Sequence, residues 1–159
     1  MKKKKNEHHL DYRSALIQLP LIRESPHGYM RTPEDVVAVC EDMRDLAQEI
    51  FQVLIVNARN RLLNRNLIGV GVADSALIHA REVFRNCIVL NAAACILVHN
   101  HPSGDPTPSA EDVKLTKQLV QAGSIVGIKV LDHIIVGRSI EGSRGHLSMR
   151  ESAVVEFDA

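Results

Sequence analysis

The sequence contains no tryptophan, and only 3% of its 159 residues are aromatic. Proteins that hold single-stranded nucleic acid stack successive bases on aromatic rings. Tyr12, Tyr29, Phe51, Phe84 and Phe157, scattered along the chain, do not make such a platform. An excess of one charge is missing too. The 19 Lys and Arg residues balance 19 Asp and Glu, so no net positive field gathers nucleic acid or an anionic membrane. The three cysteines, Cys40, Cys87 and Cys95, are odd in number and unclustered, which excludes a disulfide framework and reads as small core residues in a reducing compartment. No apolar run approaches the roughly 20 residues of a membrane span. The basic start, residues 1–5, is followed by Asn6-Glu7-His8-His9, where a secretory signal needs its apolar segment. A cytoplasmic location is expected.

What remains is an ordinary globular balance, 45% hydrophobic and 24% charged, at a length that suits one domain. Residues 1–31 read as a lysine tail and an extended arm interrupted by Pro20 and Pro26, and residues 32–159 as the folded domain. Thr32-Pro33-Glu34-Asp35 announces a helix start, with Val36, Cys40, Met43 and Ala47 at helical spacing up to Gln48. Residues 50–56 (IFQVLIV) have the short, β-branched, wholly apolar character of a buried strand. Asn57-Ala58-Arg59-Asn60 supplies turn chemistry, and residues 67–72 suggest a partner strand whose Gly69 and Gly71 hint at a bulge. Asp74-Ser75 can cap a helix carrying Leu77, Ala80, Phe84, Cys87 and Ile88. Residues 94–98 form a third strand, and Ser109 opens a helix with Leu115, Leu119 and Ala122 on one face and Gly123 as its stop. Residues 130–136 form a fourth strand and residues 146–149 a short fifth. Alternating helices and strands predict an α/β fold, a mixed sheet flanked by helices.

The densest chemical signal is the run from Leu97 through His99-Asn100-His101-Pro102-Ser103-Gly104-Asp105 to Ser109-Ala110-Glu111-Asp112. Side chains two apart on an extended strand point the same way, so His99 and His101 can aim at one point while Asn100 points away. A proline-rich loop then fixes where the next helix begins, and its first turn brings Asp112 back toward the two rings. Two imidazoles and a carboxylate are three zinc ligands, and three protein ligands leave a fourth position for water, the pattern of a catalytic site. Zinc lowers the pKa of bound water to about 7, making hydroxide available at neutral pH. The same residues also permit a plainer reading. Ser109 and Asp112 satisfy a helix-capping motif, and strand-edge histidines can bond nearby carbonyls.

His99-x-His101, followed after seven residues by Ser109 and after two more by Asp112, resembles the JAMM motif of MPN-type metalloproteases, and HNHPSGDPTPSAED resembles their RadC branch. Further similar segments are QEIFQVL from Gln48, AREVF from Ala80, LDHIIVG from Leu131 and SMRE from Ser148, so the resemblance spans residues 32–151. It implies a single MPN domain of cytidine-deaminase-like α/β fold, with Zn2+ held by His99, His101 and Asp112. It also implies a glutamate ahead of the first core strand as general acid/base, a place occupied by Glu49, with Glu82 as the competing candidate. Ser109 matches the motif serine that hydrogen-bonds the developing oxyanion or the catalytic water. The implied activity is hydrolysis of a peptide or isopeptide bond in a protein or peptide substrate. The resemblance assigns Asp105 no ligand role. His133 is read as a core histidine or a group supporting the ligands, and His8, His9, His27, His79 and His146 receive no role. Longer RadC-type chains carry a helix-hairpin-helix region that residues 1–31 are too short to hold, and Ala80 stands where the family usually has proline. A nucleic-acid-associated role is the alternative, but it would need a basic groove that this composition does not supply. A non-catalytic scaffold is the third reading, disfavoured by the complete ligand set.

Overall fold

Two seven-residue strands buried along their whole length form the centre of the sheet, β1 (Ile50–Val56) and β3 (Ala94–Asn100). Both read as near-continuous apolar runs because both faces are covered. The computed structural model describes residues 28–71, 78–139 and 142–157. Among these the strand order is β2-β1-β3-β4-β5, with β2 spanning Leu62–Val70, β4 Lys129–Val136 and β5 His146–Ser148. β1 is antiparallel to both β2 and β3, β3 is parallel to β4, and β5 is antiparallel to β4. Among the described residues three α-helices accompany the sheet: α1 (Pro33–Val39), α2 (Ala80–Val89) and α3 (Ala110–Val126). The architecture is thus the mixed α/β domain that the pattern predicts.

Alternation along the central strands divides the core in two. Phe51, Val53 and Ile55 face one way with Cys95 and Leu97, packing under α2 and α3 against Phe84, Leu115 and Leu119. Ile50, Leu54 and Val56 face the other way with Ile96 and Val98, against Val36, Val37 and Met43. His99 continues the first set and Asn100 the second. The sheet therefore places His99 beneath α3, the helix that carries Asp112. All three cysteines are buried and unbridged.

Several boundaries differ from the sequence reading. α1 stops at Val39 rather than reaching Gln48. Val36, Val37 and Val39 are β-branched residues of modest helix propensity, and a 3-10 turn at Glu41–Met43 follows. The second strand starts five residues before the expected residue 67. Its opening half carries polar side chains: Asn64 faces water, while half-buried Arg65 bonds back to the Gln52 side chain and the Val39 carbonyl. The anticipated bulge is present: the register passes from Phe51 opposite Gly69 to Gln52 opposite Leu67, skipping Ile68. The cap expected at Asp74-Ser75 lies outside the described residues, as does the tail over residues 1–27. The helix described there begins at Ala80, with His79 as an N-cap that makes no side-chain hydrogen bond. Gly123 does not stop α3. It sits inside the helix where a Cβ would lie 2.5 Å from the Ile128 carbonyl, and Gly127 closes the helix in the left-handed conformation, φ 73°. Of the arm, Tyr29 bridges to Arg61 and the Met30 N–H donates to the Asn60 carbonyl. No helix among the described residues is long and apolar enough to cross a membrane.

Candidate metal centre

β3 extends two residues past the expected end, so His99 and Asn100 are still strand and His101 is the first residue beyond. Strand parity then does what the His-x-His spacing requires. His99 and His101 bring their Nε2 atoms to 3.0 Å. Asn100, turned to the other face, accepts from the Ile50 N–H at 2.8 Å and donates to the Gln48 carbonyl at 3.1 Å. These bonds tie the end of β3 to the start of β1.

The third donor arrives from α3. Ser109 is its N-cap: Ser109 Oγ accepts from the Asp112 N–H at 3.1 Å, while the Asp112 carboxylate accepts from the Ser109 N–H at 2.7 Å. This reciprocal box holds the carboxylate turned toward the rings. Asp112 Oδ1 lies 3.4 Å from His99 Nε2, and Oδ2 lies 3.4 Å from His101 Nε2. The capping reading and the ligand reading are therefore both satisfied by one side chain. The three donor atoms all lie within 4.8 Å of one another. Zinc–nitrogen and zinc–oxygen bonds of about 2.0–2.1 Å set tetrahedral ligand separations at roughly 3.3 Å; the two Nε2 atoms at 3.0 Å, and each ring's nearest carboxylate oxygen at 3.4 Å (Oδ1 for His99, Oδ2 for His101), lie close to that value. His99, His101 and Asp112 can thus hold a metal ion, and a donor set of two imidazoles and one carboxylate fits zinc.

Electrostatics agree with the geometry. Burial pushes the Asp112 carboxyl up, but the adjoining His101 and His99 imidazoles outweigh it and hold the group far below the usual carboxylate range. The Asp112 carboxylate in turn raises His101 above the ordinary histidine value, against the opposing effect of burial. His101 Nδ1 donates to the Asp105 carbonyl at 2.8 Å, which leaves its Nε2 toward the site. Asp105 offers only this carbonyl; its carboxylate accepts from the Thr107 N–H and is solvent-exposed.

Glu49 directly precedes β1. Phe51 pairs with His99 across the β1–β3 ladder, and the Phe51 ring stacks on the His99 imidazole at 6.1 Å. Continuing that antiparallel register by two residues sets Glu49 opposite His101 on the same face. Desolvation raises its carboxyl pKa; the charges of His99 and His101 oppose the shift and that of Asp112 adds to it. Glu49 is thus electrostatically coupled to all three candidate ligands. Glu82, in contrast, sits in the first turn of α2.

Sequence reasoning left His133 between two roles. It is fully buried, and its Nε2 lies 2.8 Å from His99 Nδ1. Burial holds its pKa well below the ordinary value, so the ring is neutral. Its other nitrogen lies 2.5 Å from Thr116 Oγ1, a residue the sequence reading missed. One signal was available: Thr116 falls four residues after Asp112 and so shares its helix face. The loop after His101 also borders a cleft of about 420 Å³ lined by Ser103, Gly104, Asp105, Pro106, Arg138 and Ser143.

With this geometry established, comparison with known proteins gives concordant matches. A family model described as RadC-like JAB domain matches residues 30–154. A UPF0758 protein of Desulforamulus reducens is 55% identical over 109 residues, covering 68% of this chain and 48% of the relative. Another from Caldanaerobacter subterraneus subsp. tengcongensis is 44% identical over 142 residues, covering 89% of this chain and 59% of the relative. A third, from Halalkalibacterium halodurans, is 41% identical over 137 residues, 86% of this chain and 57% of the relative. The chain therefore spans about half to three-fifths of the length of these relatives.

Proposed function

The chain belongs to the RadC-like JAB domain family, and from that membership we propose that it is a zinc-dependent metallohydrolase cleaving peptide or isopeptide bonds. The observation that carries this reading is the convergence of three candidate metal-ligating side chains with a partly desolvated carboxylate just ahead of the adjacent strand. His99, His101 and Asp112 would hold the ion and leave one position open. A zinc ion there supplies Lewis acidity and lowers the pKa of a water in the open position from about 15.7 to about 7.

The chain's own residues do the rest. Glu49 accepts the proton of the attacking water and returns it to the leaving nitrogen, a role usually worth about 10²–10⁴ in rate. Its raised pKa moves the group toward neutrality, where one carboxyl serves efficiently as both base and acid. Ser109 Oγ accepts from Asp112, and its hydroxyl proton has no acceptor among the described residues. It is free to donate to the oxyanion that develops on the scissile carbonyl. A protein or peptide chain is the expected substrate. Three buried, unbridged cysteines suit a reducing cytoplasm as the place of action.

The test is zinc content and hydrolysis of a peptide library by the wild type, Glu49→Gln and His99→Ala. Glu49→Gln is expected to keep zinc and lose turnover, and His99→Ala to lose both. Equal turnover in all three would end the proposal.

A further inference from the structure

The two imidazole ligands are oriented by unlike partners. His101 Nδ1 faces the Asp105 carbonyl, which can only accept, so that ring has one possible tautomer when neutral and its Nε2 is free of hydrogen. His99 Nδ1 faces another histidine, which can donate or accept. The His99–His133 contact alone does not decide which ring carries the shared proton. In one arrangement His133 accepts, and His99 presents a bare Nε2 to the metal. In the other His133 donates, and His99 turns an N–H toward the ion.

The decision lies one residue further back. Thr116 Oγ1 is 2.6 Å from the Asp112 carbonyl, 3.4 Å from Met149 Sδ and 2.5 Å from His133 Nδ1. The carbonyl can only accept, so its 2.6 Å contact requires the single hydroxyl proton; spending that proton on His133 instead would leave two bare oxygens facing each other at 2.6 Å. Thr116 Oγ1 must then accept from His133 Nδ1–H. A neutral ring that donates from Nδ1 accepts on Nε2, so His99 donates from Nδ1 and its Nε2 is bare. We propose that Thr116 and His133 are positioning residues that lock His99 into its metal-binding tautomer through a one-way chain running from His99 through His133 and Thr116 to the Asp112 carbonyl. The chain closes on itself, since it starts at one ligand and ends on the backbone of another. Thr116 and His133 are both completely buried, so no water competes for these bonds.

This inference rests on the metal reading, and its test separates the two. Long-range 1H–15N NMR of the metal-free wild type reads the tautomers directly, with His99 and His133 both expected as Nδ1–H. An Nε2–H tautomer at His99 overturns the proposal whether or not zinc binds. Zinc titration then compares the wild type with Thr116→Val, which keeps the shape but loses the hydroxyl, and with Thr116→Ser, which restores it. Loss of such supporting partners typically weakens metal affinity about 10- to 100-fold. That loss is expected in Thr116→Val, together with Nε2–H signal at His99, and recovery to within a few-fold in Thr116→Ser. Unchanged tautomers and affinity in Thr116→Val refute the lock. If Thr116→Val fails to fold, the wild-type spectrum and the Thr116→Ser titration decide. A wild type that shows the expected tautomers yet binds no zinc sinks the metallohydrolase reading and leaves the hydrogen-bond chain standing.

Discussion

Zinc affinity is expected to fall tenfold for each pH unit below the titration of His101, and that titration lies above the ordinary histidine value of 6.5. The cause is Asp112, whose carboxylate lies 3.4 Å from His101 Nε2 and favours the protonated ring in the metal-free protein. Ion and proton compete for the same nitrogen, so binding zinc must expel the proton. One proton displaced costs about 1.4 kcal/mol per pH unit, and a drop two units below the titration costs a hundredfold, roughly 2.7 kcal/mol. Stability of the metal-free fold runs the other way. A raised histidine pKa stabilises the folded state fully below 6.5, and that contribution is lost as pH rises through the folded value. Rising pH therefore weakens the metal-free fold over the same interval in which it strengthens metal binding. Calorimetric zinc titrations in buffers of differing ionisation enthalpy count the protons released at each pH. One extra proton is expected on the acid side of the transition and none well above it. Asp112→Asn, lacking the charge, is expected to bind zinc more weakly and to shift the transition to lower pH. A wild-type affinity flat between pH 6 and 8, with no proton release, would refute the coupling.

Other perturbations test other links. Glu49→Gln is expected to stabilise the metal-free protein at neutral pH, because a carboxyl with a raised folded pKa favours folding below its unfolded value and loses that contribution as pH rises through the folded one. Paired thermal melts from pH 4 to 8 check this, and an advantage that grows toward acid would contradict it. Gly137→Ala would place a Cβ 2.3 Å from the Gly104 carbonyl oxygen, so the loop that follows His101 must move by about 1 Å to restore ordinary contact. A loss of about 1–3 kcal/mol is expected in denaturant melts, with weaker zinc binding. Gly123→Ala gains about 1 kcal/mol of helix propensity, yet its Cβ would meet the Ile128 carbonyl at 2.5 Å and Phe84 Cζ at 3.1 Å. Overpacking of about 1–3 kcal/mol should win, leaving a net loss of stability with zinc affinity nearly unchanged.

The candidate ligands were legible because their signal is local. The His99–His101 spacing needs only a strand, and Asp112 needs only the helix start that Ser109 announces. Both elements show in short windows of sequence. Glu49 was legible only through family resemblance, since its place beside His101 depends on the β1–β3 register, and nothing near residue 49 encodes which strand lies alongside. The opening half of β2 was hidden for a different reason. Asn64 faces water and half-buried Arg65 is held by Gln52 and Asp42, partners distant in sequence, so no apolar run marks this stretch. Thr116 and the bond from His133 to His99 were hidden because they join α3 to β4 and β4 to β3, contacts across the chain rather than along it.

The topology also explains why these residues can cooperate. β3 is central, so its C-terminal end has a neighbour on either side. Because β1 runs antiparallel, its beginning lies beside the end of β3, and the residue just before it delivers a carboxylate to the site. Because β4 runs parallel, its C-terminal half lies beside that same end, with Ile135 opposite His99; His133, opposite Leu97, shares the His99 face and reaches its Nδ1 from behind rather than from the open side. α3 then crosses over the face that carries His99, with its first turn at the ligands and its second at His133. A parallel strand on one side and an antiparallel strand on the other thus divide the work: one face of the ligand cluster is open and acidic, the other dry and locked.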